Sequence, residues 1–276
     1  MTLSRGEVLE LLDSHGLRPS RALGQNFVVD PNTLRRVARL AELEPGQPVV
    51  EIGAGLGALS IELARAGGNV VAMEVDRRLL PLLRSQVEPH GVHVVEADAL
   101  EVDWNRVLEG TGCGGPSASW ALVANLPYNV SVPVVARLLD EAPSVTRMLV
   151  MVQREVGERL ASKPGVAAYG AVSVKVAYHA TASVVGRVPP SVFVPRPRVE
   201  SVLVRIVRRE AVAVDPSLVS ASRLFEVVRA GFAHRRKMLR GALAGVVEPE
   251  AFEIAGIDPR SRAQELSVEQ WGRLAA

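Results

Sequence analysis

The sequence predicts an α/β fold, a doubly wound and mostly parallel sheet followed by a smaller all-helical C-terminal domain. Three observations predict it. From Pro48 onward, short β-branched runs alternate with helix-length segments, as in parallel sheets covered by helices on both faces. A glycine-rich turn, Glu51-Ile-Gly-Ala-Gly-Leu-Gly-Ala58, joins the first of these strands to the helix after it. Near Arg209 the strand pattern stops and helical segments take over.

Before the sheet, Val8, Leu11 and Leu12 are spaced for one face of a helix. Leu23-Gly24-Gln25-Asn26-Phe27 interrupts the helical pattern, and Pro31 suits the first turn of a second helix. Val49-Val50-Glu51-Ile52 reads as a buried strand with its helix over 59–66, and 70–73, 79–87 and 92–96 repeat strand, helix and strand. Further strands are expected at 121–124, 148–152, 172–176 and 202–207, and a glycine-rich loop at 112–115. Residues 1–208 are assigned to the sheet domain and 209–276 to the helical one, with helices over 217–228, 235–244 and 249–255. No internal repeat is evident.

Composition narrows the function. The 276 residues are 48% hydrophobic, enough to bury a core and too apolar for a disordered chain. A single cysteine, Cys113, excludes a disulfide framework and a multi-cysteine metal cluster, and points to a reducing, cytoplasmic setting with no metal. Glu7, Glu10 and Asp13 break the only early apolar pattern, so no signal peptide is expected. The uncharged stretch 110–136 carries Pro116, Pro127 and Pro133, which argues against a membrane span. The net charge is +2, yet residues 187–240 hold twelve basic and four acidic residues. That asymmetry suits a polyanion, nucleic acid above all.

The glycine loop lets the backbone come close to a ligand at a helix N-terminus. Gly53, Gly55 and Ala58 also satisfy the dinucleotide fingerprint, with Glu74 about 20 residues on. Alone, the loop does not separate a nicotinamide cofactor from S-adenosyl-L-methionine. Glu51 tips the balance: its charge would repel a pyrophosphate but attract a sulfonium and an ammonium. Glu74 ends the second strand, placed to accept from ribose hydroxyls, and Asp98 follows the third, placed for an adenine amino group. Ligands of such sheets lie beyond the carboxyl ends of the strands.

Asn125-Leu126-Pro127-Tyr128 follows the fourth strand. An exocyclic amine on a purine is a poor nucleophile because its lone pair is delocalised into the ring. The Asn125 side-chain oxygen and the Leu126 carbonyl together can hold both amine hydrogens and aim the lone pair at a methyl carbon. Tyr128 offers a stacking face for a base taken out of its helix, and Phe193 is the candidate second face. Arg196, Arg198, Arg235, Arg236 and Lys237 are candidate phosphate contacts.

In these residues the chain resembles the ribosomal RNA small-subunit adenine dimethyltransferases, from about Leu23 to Leu266. The matching segments are Leu23-Gly-Gln-Asn-Phe-Val-Val-Asp30, the glycine loop, Asn125-Leu-Pro-Tyr-Asn129 and Gln153-Arg-Glu-Val-Gly-Glu-Arg-Leu160. Val188-Pro-Pro-Ser-Val-Phe-Val-Pro-Arg-Pro-Arg-Val-Glu-Ser201 and Phe232-Ala-His-Arg-Arg-Lys-Met-Leu239 complete them. The resemblance implies a Rossmann-like class I methyltransferase sheet and a helical C-terminal domain that binds rRNA. It implies dimethylation of two adjacent adenosines in the 3′-terminal hairpin of 16S rRNA, on a late pre-30S particle; the RNA-facing surfaces make a monomer the default expectation. It also places Gln25, Asn26 and Val28 on the cofactor with Gly53, Gly55, Glu74, Asp98 and Asn125. Ala54, where many members carry proline, and Val28, where leucine is commoner, are mild departures. Three readings compete: the sister group that methylates 23S rRNA, a nicotinamide-dependent oxidoreductase, and a non-catalytic ribosome assembly factor.

Overall fold

A computed structural model describes residues 5–20, 22–114 and 117–276. Gly115 and Pro116, at the end of the expected glycine-rich loop, lie outside them. The chain splits into two compact units, Met1–Gly157 with Val184–Ile206, and Glu158–Ser183 with Val207–Ala276. The last crossing falls two residues before the boundary expected from sequence. Residues 158–183, assigned from sequence to the sheet domain, belong to the second unit.

The strands are β1 (Phe27–Val28), β2 (Pro48–Ile52), β3 (Asn69–Glu74), β4 (His93–Glu96), β5 (Trp120–Asn125), β6 (Val145–Gln153), β7 (Ala180–Val188), β8 (Phe193–Val194) and β9 (Ser201–Arg208). Seven of them form one sheet in the order β4-β3-β2-β5-β6-β9-β7. The pairs β4–β3, β3–β2, β2–β5 and β5–β6 are parallel. Val49, Val50, Val71, Ala72 and Leu122 are completely buried, the mark of strands covered on both faces. Between β2 and β5 the chain direction along the sheet reverses, which opens a crevice at the strands' carboxyl ends.

Helices α1 (Arg5–Ser14) and α2 (Pro31–Leu40) precede β2. Asp30 caps α2 by accepting from the Thr33 amide at 2.7 Å, with Pro31 in the first turn. The Thr33 hydrogen bonds hold the Asp30 carboxyl below the usual carboxylate range. Helices α3 (Ala58–Arg65), α4 (Leu80–Val87), α5 (Trp104–Gly110) and α6 (Ser131–Glu141) then alternate with the strands.

Gly57 starts α3 in a left-handed conformation, φ +79°, and a β-carbon there would stand 2.1 Å from Val87 Cγ1. Gly57→Ala is therefore expected to lose about 2–4 kcal/mol of stability, from backbone strain and overpacking together. Urea denaturation measures it; an unchanged midpoint would show that α4 gives way freely.

The second unit holds α8 (Ala171–His179), α9 (Ala221–Ala233), α10 (Leu239–Ala242), α11 (Pro249–Ala255) and α12 (Val268–Ala275), with α7 (Arg154–Leu160) at the first crossing. Its core joins Tyr169, Val174 and Tyr178 to Leu224, Val227, Val228 and Trp271. Two expectations are corrected here. Residues 172–176 form part of α8, not a strand: Val174 and Tyr178, four apart, both reach that core, and helix packing overrides a β-branched run. Of the helix expected over 235–244, only Leu239–Ala242 forms; Met238 instead makes an isolated antiparallel bridge to Arg262.

Candidate active site

A cleft at the carboxyl ends of β2, β3, β4 and β5 gathers every residue that the sequence assigns to a cofactor. Gln25, Asn26, Val28, Gly53, Gly55, Glu74, Asp98 and Asn125 all line it, as do Leu126, Pro127 and Tyr128. Among the described residues its only charged lining groups are Glu51, Glu74 and Asp98, all acids.

The floor is made by the turn after β2. The amides of Gly53 and Ala54 both donate to the Met73 carbonyl, at 2.9 and 3.1 Å, so the loop folds back over β3. Glu74 locks it from the other side. Its Oε2 accepts the Gly55 amide at 2.8 Å, and its Oε1 accepts the amides of Val75 and Asp76 at 3.0 and 2.9 Å. Burial pushes the Glu74 carboxyl up, against these hydrogen bonds, which favour the anion. Asp98 accepts the Leu100 amide at 2.8 Å through Oδ1, closing the turn after β4. Arg137 of α6 steadies the same turn by donating to the Val102 carbonyl at 2.7 Å.

Glu51 lies under the loop, 2% exposed, and its Oε2 accepts the Ser60 hydroxyl. Burial, with the nearby Glu74 charge, raises its carboxyl to about 8 even though the Ser60 bond favours the anion. A cation bound beside it drives the proton off. Affinity for such a ligand should therefore climb as pH rises toward about 8, by up to about tenfold per unit. Calorimetry in buffers of different ionisation enthalpy reads the released proton, and Glu51→Gln should remove it; equal release by both proteins would exonerate Glu51.

The wall of the cleft joins two segments far apart in sequence. Asn125 Nδ2 donates to the Asn26 carbonyl at 2.8 Å, which leaves Oδ1 as the acceptor for a substrate. Asn26 Nδ2 in turn donates to the Gly24 carbonyl at 2.9 Å. Gly24 adopts φ +63°, and a β-carbon there would meet Asn129 Oδ1 at 2.7 Å, so only glycine allows this approach. The Tyr128 hydroxyl shares a 2.8 Å hydrogen bond with Ser201 Oγ. Burial raises its pKa, so the ring is neutral at physiological pH.

Phe193 is a correction. It is fully buried in the core of the first unit, where β8 pairs antiparallel with β1 and places it opposite Val28. It does not line the cleft, and no face of its ring is open to a base. Arg5 covers the segment from outside, donating to the Phe193 carbonyl at 2.9 Å. The candidate RNA contacts fall on different units. Arg196 and Arg198 are exposed on the first, Arg235, Arg236 and Lys237 on the second, where Arg235 donates to the Ala167 carbonyl. Asp76 and Arg137 were missed from sequence: Glu74 already fills the strand-end position two residues before Asp76, and an arginine inside a helix carries no signal of its own.

Comparison with known proteins finds relatives along nearly the whole chain. The family model described as ribosomal RNA adenine dimethylase matches residues 17–276. A protein of Kineococcus radiotolerans named ribosomal RNA small subunit methyltransferase A is 44% identical, covering 99% of this chain and 91% of that one. Its namesake in Thermobifida fusca is 43% identical over 99% of this chain and 95% of its own. Among solved structures, the 23S rRNA methyltransferase ErmE aligns with a TM-score of 0.69 at 26% identity, over 90% of this chain and 98% of that chain. A dimethyladenosine transferase from Plasmodium falciparum shares the fold, with a TM-score of 0.73 at 21% identity over 90% of this chain and 95% of its own.

Proposed function

The chain belongs to the ribosomal RNA adenine dimethylase family, and from that membership we propose that it dimethylates the 6-amino groups of two adjacent adenosines in the 3′-terminal hairpin of 16S rRNA. It is an rRNA adenine dimethyltransferase, and S-adenosyl-L-methionine is its methyl donor. The nicotinamide and non-catalytic readings fall with that membership. The observation that carries the reading is the convergence of Asn125 with three acids, and no basic side chain among the described residues, around one cleft.

The residues present fit this donor. A lining whose only titratable acid and base groups, among the described residues, are carboxyls suits a sulfonium and an ammonium better than a pyrophosphate. Glu74 and Asp98 would hold the nucleoside end, and Glu51 would face the positive end. When bound, S-adenosyl-L-methionine supplies a methyl carbon on a positively charged sulfur, which departs with the bonding electron pair.

The chain's own work is to bind, orient and steer. Asn125 Oδ1 and the Leu126 carbonyl accept the two hydrogens of the adenine amine, which localises the nitrogen lone pair as the new N–C bond forms. Tyr128 stacks on the extruded base, a contact worth roughly 1–3 kcal/mol. The proton of the methylated amine passes to water, so no general base is required. Exposed Arg196, Arg198, Arg235, Arg236 and Lys237 supply phosphate contacts that fix register without reading sequence. The substrate is a late pre-30S particle, and the enzyme acts in the cytoplasm as a monomer. No helix among the described residues is long and apolar enough to cross a membrane.

The likeness to ErmE favours a second reading, methylation of 23S rRNA. Incubating the protein with labelled donor and subunits from cells that lack it decides between them. Label on 30S particles, with primer-extension stops in the 16S 3′ hairpin, is the expected result. Label confined to 50S particles would transfer the assignment to 23S rRNA.

A further inference from the structure

Residues 22–27 cross from the glycine loop to the reacting centre without joining the large sheet. A β-carbon on Gly55, after β2, would stand 2.9 Å from the Phe27 ring. Gln25 Nε2 donates to Asp76 Oδ2, after β3, at 2.9 Å. The Asn26 carbonyl accepts from Asn125, at the end of β5, and the Ala22 carbonyl from Asn129 Nδ2 at 3.2 Å. One short segment thus ties together the turns that follow three strands.

Asp76 is the unexplained member. Its side chain is buried but does not line the cleft, and it adds a fourth carboxylate to an acidic neighbourhood. Arg78 neutralises it in a bidentate pair, Nε to Oδ1 at 2.9 Å and Nη2 to Oδ2 at 2.7 Å. Gln25 cannot turn its amide around, because its Oε1 already accepts the Ser20 amide at 2.7 Å. The carboxylate therefore always meets a donor, and a bond to an ionised acceptor is the stronger kind.

We propose that Asp76 is a positioning residue for methyl transfer: through Gln25 it holds segment 22–26 so that the Asn26 carbonyl orients the Asn125 amide. It touches neither substrate nor cofactor. The proposal rests on the methyltransferase reading above, and it explains why Gln25, a lining residue, spends both ends of its amide on the protein.

The test is a double-mutant cycle in the full-length protein with Gln25→Met and Asp76→Ala. Gln25→Met keeps the side-chain length and leaves the Asp76–Arg78 pair intact, so it remains informative if Asp76→Ala folds poorly. Each single variant should raise the Kd for S-adenosyl-L-methionine about tenfold, the loss of one charge-assisted hydrogen bond, and lower kcat, with the KM for RNA unchanged. The double variant should fall clearly short of the sum of the two singles, because both remove the Gln25–Asp76 hydrogen bond while each also loses one partner of its own, Ser20 or Arg78. Bound cofactor should slow amide hydrogen exchange of residues 22–27 in the wild type but not in the variants. Wild-type Kd and kcat in Gln25→Met, or effects that simply add in the double variant, would overturn the proposal. Failure of the wild-type protein to bind S-adenosyl-L-methionine would instead overturn the methyltransferase reading on which it rests.

Discussion

Asn125→Ala is expected to cut methyl transfer by at least about 10³-fold while leaving RNA affinity unchanged. A preorganised acceptor aimed at the reacting atom is worth roughly 10²–10³ in rate, and this side chain has two duties. Its Oδ1 is the acceptor left for the amine, and its Nδ2 holds the Asn26 carbonyl. Alanine removes both without disturbing β5, whose preceding residues Trp120 to Ala124 are buried. Single-turnover methylation and filter binding on the same preparation separate the two effects. Turnover near the wild-type rate would place the reacting centre elsewhere.

Glu74→Ala should abolish measurable cofactor binding and destabilise the fold. Three backbone amides, those of Gly55, Val75 and Asp76, lose their acceptor together, in a site where the side chain is only 5% exposed. A buried donor left unpaired costs about 1–3 kcal/mol, and neighbouring losses are partly shared, so a total of about 2–4 kcal/mol is expected. Glu74→Gln retains an acceptor oxygen and should fall between. Urea denaturation gives the stability and calorimetry the affinity. An alanine variant with wild-type values of both would remove Glu74 from the site.

The cofactor half of the site was legible because its residues repeat a rule. Glu51, Glu74 and Asp98 each sit at or just beyond the end of a strand that announces itself by buried β-branched residues, and the glycine loop fixes the first of them. Asn125 follows the same rule one strand later. Elements without a strong solvent pattern were less legible. β7 alternates poorly between exposed and covered positions, so nothing in its composition separates it from a loop. Residues 172–176 misled because their β-branched side chains suit a strand, while the hydroxyl of Ser173, which accepts from the Gly170 amide at 3.0 Å, marks a helix start. Phe193 misled for the opposite reason. A motif full of prolines and arginines suggests a surface, yet its one aromatic ring packs inward because pairing with β1 turns it toward the core. Contacts such as Gln25 to Asp76 join residues 51 positions apart, a distance over which local spacing says nothing.

The second unit is assembled from two stretches of chain, with Val184–Ile206 given back to the first between them. Tyr169, Val174 and Tyr178 come from the earlier stretch, and Leu224, Val227 and Trp271 from the later one, yet they share one interior. Hybrids between relatives must therefore exchange both stretches at once. A single-junction chimera, spliced between residues 183 and 207, would mate aromatic knobs from one parent with holes shaped by the other, and poor solubility is its expected phenotype.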